Sequence, residues 1–266
     1  MAAVLRALAV VASLAATAEG SQVLAAHRMV RGGGFVKSFE FTHKLRVCNA
    51  YAADKPFDIF QGDKNRVTGD VPLPYKECRD FSTPLQTGDR LEFKAGDAAA
   101  GTFAIADLPS SDAILLLVAY AHDPASAAVS FKSHVFASSS TAQVAVVNVY
   151  GGKTQSKALI VDHVGNATVS EELRFDSVVA VNEGRYEVHL EGPDGKIAAK
   201  ANLVALSKES YAILRVGADP AGGGGQEYPE ALVVYPESPV AVVRSRAGAR
   251  SLGAVLAAAA LAAIAM

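Results

Sequence analysis

The amino-acid sequence predicts an all-β protein made of two tandem β-sandwich or compact-barrel domains, with helix only at the two chain ends. The first observation behind this prediction is an internal duplication at an offset of about 95 to 99 residues, the length of one ordinary domain. The second is a short alternation of apolar and polar residues with the period of a β-strand. The third is a set of turn signals, such as Gly192-Pro193-Asp194-Gly195, between these stretches.

The duplication is visible as short motifs that return in the same order. The first copy is assigned to residues 38–137, the second to 142–237, and the serine-containing linker between them to 138–141. The matched residues are Val47-Cys48-Asn49-Ala50-Tyr51 with Val146-Val147-Asn148-Val149-Tyr150, then Arg79, Ser82, Arg90 and Glu92 with Arg174, Ser177, Arg185 and Glu187, then Leu108 and Ala113-Ile114-Leu115 with Leu206 and Ala212-Ile213-Leu214, and Asp123-Pro124 with Asp219-Pro220. The matched charged residues are expected to share a solvated strand face and pair across strands. The alternative is a ligand-facing polar row present once in each domain.

Individual strands can be recognised inside each copy. Residues 91–93 and 186–188 read apolar, polar, apolar, which is typical of a strand with one buried face. Residues 113–121 and 143–150 are short aliphatic runs, which favour strands in the centre of a core. No sustained helical stripe occurs between the two chain ends.

The N-terminal end of the sequence predicts export. One early charge, Arg6, precedes an apolar run from Ala7 to Ala15, and Ala16-Thr17-Ala18 offers a cleavage pattern of small residues. Residues 1–18 are therefore predicted to be a signal peptide, and 19–37 a stalk. The alternative is a short N-terminal membrane helix, although the run is too short to span a hydrocarbon core of ~30 Å.

The C-terminal end carries a linker, 238–250, and an uncharged hydrophobic tail, 251–266. At about 1.5 Å per residue the tail reaches only ~24 Å, and the arginines before it would lie on the lumenal side of a span. A removable signal for a GPI-type lipid anchor avoids both difficulties, with Ser245, Ala247 and Gly248 as candidate attachment residues. A single membrane helix, or another fate of the tail, remains an alternative because the usual polar spacer is nearly absent.

The composition fits a globular protein that faces the outside of the cell. Half of the residues are hydrophobic, a fifth are charged, and the net charge is −2. This is too little positive charge for a nucleic-acid-binding protein, whose phosphate contacts require lysine and arginine in excess. There is no tryptophan, and aromatic residues are few for a sugar-stacking surface.

The two cysteines, Cys48 and Cys78, both lie in the first copy. In the repeat alignment they fall opposite Val147 and Leu173, which suggests two core positions that face each other, bridged once by sulfur and once by packing. An oxidising compartment then predicts a Cys48–Cys78 disulfide. The alternative is a pair of buried, unpaired thiols.

The sequence predicts no catalytic residue, no cofactor and no metal site. His122-Asp123 and Asp162-His163 are sequence neighbours, but neighbours on a strand point to opposite faces. His189 and Glu191 could share one strand face, yet no third metal ligand can be named for them. Asn166 begins a glycosylation sequon, Asn166-Ala167-Thr168, in an expected surface loop.

A family resemblance covers roughly residues 40–237. The pattern Val-x-Val/Cys-Asn-x-Tyr, then Gly-x-(x)-Arg/Leu-Glu, then Leu-x-x-x-x-Ala-Ile-Leu resembles uncharacterised secreted tandem-repeat proteins of dinoflagellate algae. More distantly it is similar to the accessory protein of bacterial alginate O-acetylation, which has two β-sandwich domains. The resemblance implies a non-enzymatic adaptor that assists polysaccharide modification, and it transfers no catalytic residue.

The function expected from the sequence is that of a non-catalytic binding or adaptor protein. We expect it in the secretory pathway, on the extracellular face of the plasma membrane or of another endomembrane. Its partner would be a protein or glycan at the cell surface, with membrane contact through the C-terminal tail. The alternatives are an accessory factor or enzyme of extracellular polysaccharide modification, and a structural component of a surface coat.

Overall fold

The computed structural model describes residues 40–62, 65–122, 128–164, 167–219 and 228–237, and in this part of the chain all regular structure is β. The strands of the first half are β1 His43–Asn49, β2 Phe57–Gln61, β3 Asn65–Arg66, β4 Cys78–Phe81, β5 Arg90–Ala95, β6 Ala98–Ala104, β7 Ala113–Ala121 and β8 Val129–Ala137. Those of the second half are β9 Ala142–Asn148, β10 Lys157–Val164, β11 Ala167–Leu173, β12 Ser177–Val181, β13 Gly184–Glu191, β14 Ile197–Ala205, β15 Ser210–Ala218 and β16 Tyr228–Tyr235. The predicted all-β class is confirmed.

The strand order of the first half recurs in the second half. The first half contains a four-stranded sheet with the order β4-β1-β7-β8, which we name the first inner sheet. The second half contains one with the order β12-β9-β15-β16, the second inner sheet. The other sheet of each half has the order β3-β2-β5-β6 or β11-β10-β13-β14, and these are the first and second outer sheets. Adding eight to each strand number of the first half reproduces the second. Even the parallel pairing recurs, in β1 with β7 and in β9 with β15.

Three apolar cores lie between the four sheets. The first packs the first outer sheet on the first inner sheet, with Phe57, Phe93 and Leu117 fully buried. The third core joins the second inner and outer sheets in the same way, around side chains such as Val188 and Ile213. Each half is thus β-sandwich-like, with buried aliphatic and aromatic side chains from two sheets facing one another.

The middle core joins the two inner sheets to each other. Leu116 and Val118 of β7 belong to the same buried cluster as Val147 of β9 and Leu214 of β15. The inner sheets are therefore covered on both faces. This explains why β7 is aliphatic along almost its whole length and why eight of the nine residues of β15 are buried.

The two inner sheets face each other in a two-fold arrangement. On one edge the Tyr75 ring, just before β4, meets Tyr228 of β16, with ring centroids 5.3 Å apart. On the other edge Lys132 of β8 forms an ion pair with Asp176, just before β12. Because β4 corresponds to β12 and β8 to β16, exchanging the two halves maps one edge onto the other, as at an isologous dimer interface.

The ladder registers correct part of the repeat alignment. Cys48 lies directly opposite Cys78, and Val47 opposite Arg79. In the second half the residue opposite Val146 is Ser177, so Arg79 corresponds to Ser177 and not to Arg174. The predicted packing of Val147 against Leu173 is wrong as well, because Val147 lies in the middle core and Leu173 in the third.

The matched Ala-Ile-Leu motifs are displaced in the same way. Ala50 N donates to Ala119 O, and Val149 N donates to Arg215 O, which fixes Ala119 and Arg215 as equivalent residues. The sequence alignment, which equates residues 113–115 with 212–214, is therefore three positions away from the structural alignment of β7 with β15. The alignment of Arg90 with Arg185 agrees with the structure. Each is an exposed arginine near the start of the third strand of its outer sheet.

Several predicted features lie outside the described residues. These are the signal peptide 1–18, the stalk 19–37, the tail 251–266, Asn166, and the anchor candidates Ser245, Ala247 and Gly248. Within the described part of the chain there is no helix long and apolar enough to cross a membrane.

Candidate functional site

A groove of about 530 Å³ opens between the two inner sheets at the β8/β12 edge, and we call it the inter-sheet groove. Its walls are aliphatic, and polar groups gather at its mouth. The lining residues are Leu116, Val118, Lys132, Ser133, His134, Ala145, Val146, Val147, Asp176, Ser177 and Val178. A cavity of this volume falls within the range of small-molecule sites, which are mainly apolar with a few placed polar groups.

The rim of the groove carries one ion pair. Lys132 Nζ lies 2.6 Å from Asp176 Oδ1 and also donates to the backbone carbonyl of Asn148 at 2.9 Å. Both charged side chains are partly exposed, at 33% and 53%. An ion pair this accessible adds little to stability. It does bring β8 and the segment before β12 together, and it neutralises both charges.

His134 is a further titratable side chain that lines the groove. It projects from β8, and its ring centroid lies 4.8 Å from that of Phe136 in an edge-on contact. Burial lowers the pKa of the His134 imidazole, because the charged form loses hydration. The neutral ring therefore predominates at neutral pH, with one nitrogen as donor and one as acceptor.

At the opposite edge of the middle core, between β4 and β16, the side chain of Arg46 fills the corresponding space. Arg46 of β1 is only 2% exposed, and it holds Asp80 of β4 through two hydrogen bonds of 2.7 and 2.9 Å. Its guanidinium also donates to the carbonyl of Ser210 and lies 5.0 Å from the ring centroid of Tyr235 in β16. One buried arginine, its carboxylate and a tyrosine thus occupy the space between the inner sheets at this edge.

The registers identify the counterpart of each of these three residues. Asn49 and Asn148 each accept a hydrogen bond from the backbone N–H two residues later, which aligns β1 with β9 and makes Ala145 the counterpart of Arg46. Asp80 lies opposite Arg46 on the neighbouring strand, and Val178 lies opposite Ala145, so Val178 is the counterpart of Asp80.

His134 is the counterpart of Tyr235, because His134 pairs with Leu116 in β7 and Tyr235 pairs with Ala212 in β15. Arg46 fills the β4/β16 edge between the inner sheets. At the β8/β12 edge its counterpart is alanine, and the inter-sheet groove lies there.

A separate polar cluster lies on the exposed face of the second outer sheet. Glu187 Oε2 lies 2.7 Å from His189 Nε2, 3.8 Å from His163 Nε2 and 3.7 Å from Lys200 Nζ. The carboxylate that contacts His189 is thus that of Glu187, two residues earlier on the same strand. Thr168 Oγ1 lies 3.4 Å from His163 Nδ1 at the margin of the cluster.

Glu187 provides a pH-dependent prediction. The hydrogen bond from His189 lowers the pKa of the Glu187 carboxyl group, and Lys200 and His163 contribute further. We expect the carboxyl resonance of Glu187 in a carbon-13 NMR titration to move with a midpoint below the ordinary glutamate pKa. Because the folded-state pKa is the lower one, the stabilising contribution is complete above the ordinary pKa and is lost as pH falls through the folded value.

The matched variants for this titration are His189→Ala and Lys200→Ala. His189→Ala is expected to raise the midpoint more, since it removes the largest cause, and Lys200→Ala to raise it less. A midpoint at the ordinary value in the unsubstituted chain, unchanged by His189→Ala, would contradict the hydrogen bond.

Among the predicted site residues, the described part of the chain contains the two cysteines, and the structure brings them together. Cys48 and Cys78 form the predicted disulfide, with Cα atoms 4.0 Å apart, and both residues are buried. Sequence reasoning missed the inter-sheet groove entirely. The available signal was the replacement of Arg46 by Ala145 between two otherwise matched strands.

The described residues hold no group of three His, Cys, Asp or Glu side chains placed to bind a metal ion. In comparisons with known proteins, the chain matches no protein-family model and no curated protein. The geometry of the groove is therefore the main guide to function.

Proposed function

We propose that the chain is a non-catalytic binding or adaptor protein, exported to the cell surface or retained in the secretory pathway. The observation that carries this proposal is the inter-sheet groove, a concave site between two sheets that pack on each other. Its aliphatic walls and its neutralised rim suit recognition of a ligand. The described residues give His134 no carboxylate hydrogen-bond partner, and a base oriented by a carboxylate is the usual sign of nucleophilic catalysis.

The compartment is supported by the disulfide. Cys48 and Cys78 are bonded in the middle core, and such bridges persist in oxidising compartments such as the secretory pathway and the cell exterior. Export through the signal peptide 1–18 and attachment through the tail 251–266, by lipid anchor or membrane helix, complete the proposal. The partner would be a protein or glycan at the cell surface.

Surface labelling of the full-length chain in a eukaryotic secretory host tests this proposal. A membrane-impermeant amine reagent is expected to label the chain on intact cells, and an alkylating reagent is expected to find no free thiol before reduction. Phospholipase treatment releases the chain if the tail directs a lipid anchor, and leaves it bound if the tail is a membrane helix. The matched control lacks residues 2–18 and is expected to stay unlabelled.

Binding is then measured on the same labelled cells, with an array of glycans and with purified ectodomains of surface proteins. Saturable binding to one member of either set supports the adaptor function. A chain that stays inaccessible to the impermeant reagent, or that consumes a polysaccharide substrate, would overturn it.

A further inference from the structure

We infer that the inter-sheet groove binds a small, neutral aromatic molecule with one hydrogen-bonding group, a class for which phenol and indole are the simplest probes. This inference rests on the proposed binding function and specifies its ligand class. It starts from the difference between the two edges of the middle core, where one edge is filled by the chain itself and the other is left open.

A planar ligand follows from what fills the corresponding edge. There the flat guanidinium of Arg46 lies over the ring of Tyr235 at 5.0 Å. At the groove, Ala145 leaves the position of the arginine vacant, and the imidazole of His134 stands where the tyrosine ring would be. The vacancy is therefore bordered by one planar ring, over which another planar group can stack.

A neutral ligand follows from the charges. The guanidinium of Arg46 is compensated by Asp80, but the residue at the corresponding position is Val178. Asp176 is already paired with Lys132 at 2.6 Å. A cation or anion buried here would lack a free counter-charge, and burying an unpaired charge is strongly unfavourable.

One hydrogen-bonding group follows from the polar side chains that line the groove. Lys132 is paired with Asp176, and Ser177 Oγ donates to the carbonyl of Arg174. Ser133 lies opposite Leu117 and so shares the face of the sheet that packs in the first core, which leaves His134. His134 is partly buried and is held neutral by that burial, so its imidazole can donate one hydrogen bond or accept one. Leu116, Val118 and Val147 give the groove aliphatic surface that suits the faces of an aromatic ring. A phenolic hydroxyl or an indole N–H satisfies the imidazole while the ring displaces water from the walls.

Ligand-observed saturation-transfer NMR with phenol and indole on the full-length chain tests the inference. The unsubstituted chain is expected to give saturable transfer to both probes. Val178→Trp, at the mouth of the groove, is expected to weaken binding at least about tenfold by filling it. The matched control is Val169→Trp, the same change at an exposed valine of the second outer sheet, and it is expected to leave binding unchanged. Equal transfer in the unsubstituted chain and in Val178→Trp overturns the inference.

A second variant rebuilds the filled edge inside the groove. Ala145→Arg combined with Val178→Asp places an arginine and its carboxylate where Arg46 and Asp80 stand on the other side. This double variant is expected to abolish transfer to phenol and indole. Methylguanidinium serves as the charged probe and is expected not to bind the unsubstituted chain. Displacement of phenol by methylguanidinium would overturn the neutral-ligand assignment.

Failure of this inference can be told apart from failure of the proposed function. If Val178→Trp still reaches the cell surface and still captures a glycan or an ectodomain, while no aromatic probe binds the unsubstituted chain, the ligand class is wrong and the adaptor function stands. If the chain never reaches the surface but phenol binding is lost in Val178→Trp, the groove assignment stands and the adaptor function is wrong.

Discussion

Replacing Arg215 by alanine is expected to lower the free energy of unfolding by about 3 kcal/mol, measured by urea denaturation. Arg215 lies in β15 and is 4% exposed; its guanidinium contacts Glu230 and donates to Thr154 O at 2.6 Å. It also lies 4.5 Å from the ring centroid of Tyr150. The substitution leaves the carboxylate of Glu230, itself only 13% exposed, without its counter-charge, and an uncompensated buried charge is costly.

The control for this prediction is Arg185→Ala. Arg185 is exposed on β13, so the same chemical change there is expected to alter the free energy of unfolding by no more than about 0.5 kcal/mol. Equal effects of the two substitutions would show that the Arg215–Glu230 pair does not stabilise the fold.

Removing the disulfide with Cys48→Ala and Cys78→Ala is expected to cost about 3–4 kcal/mol of unfolding free energy in the chain-entropy model. The bridge joins residues separated by 30 positions, so it closes a loop that the unfolded chain would otherwise leave open. Cys48 is also fully buried in the middle core, and the smaller alanine side chain removes some of its packing.

Reduction separates the bridge from the packing. Dithiothreitol is expected to shift the urea midpoint of the unsubstituted chain most of the way to that of the double variant, and to leave the double variant unchanged. A midpoint of the unsubstituted chain that is insensitive to reductant would contradict a stabilising role of the bridge.

The sequence predicts the strand-rich class well because β-sandwiches leave a local signature. The alternation at residues 91–93 places Leu91 and Phe93 in the first core, and Glu92 on the outer face. This pattern arises because each outer sheet has one solvated face, so neighbouring side chains differ in environment. The pairing of Cys48 with Cys78 could be predicted because a two-cysteine chain in an oxidising compartment has one intramolecular partner to choose.

The repeat alignment failed where that local signature is absent. Six of the nine residues of β7 and eight of the nine of β15 are buried, so Ala, Ile and Leu fit several positions equally well. Without alternation nothing in the side chains marks the register, and identical letters can be matched three positions away from the true equivalents. The backbone hydrogen bonds from Ala50 and Val149 to the neighbouring strand establish which residues of β7 and β15 are equivalent.

The inter-sheet groove could not be predicted because it depends on which sheets face each other. Its walls come from β7 and β8 of one half, and from β9 and the β12 region of the other. No local pattern reports that β8 lies beside β12. Likewise the Glu187 cluster needs the register of β10 and β14 against β13 to bring His163 and Lys200 beside it.

The two-fold facing of the inner sheets has a consequence for how such a site can arise. A module with a single copy would pair with itself through two identical edges, and every substitution would appear on both at once. Joining the copies in one chain makes the association independent of concentration and frees each edge to change alone. Arg46 can then fill one edge of the interface between the inner sheets, while Ala145 leaves the other edge open to a ligand.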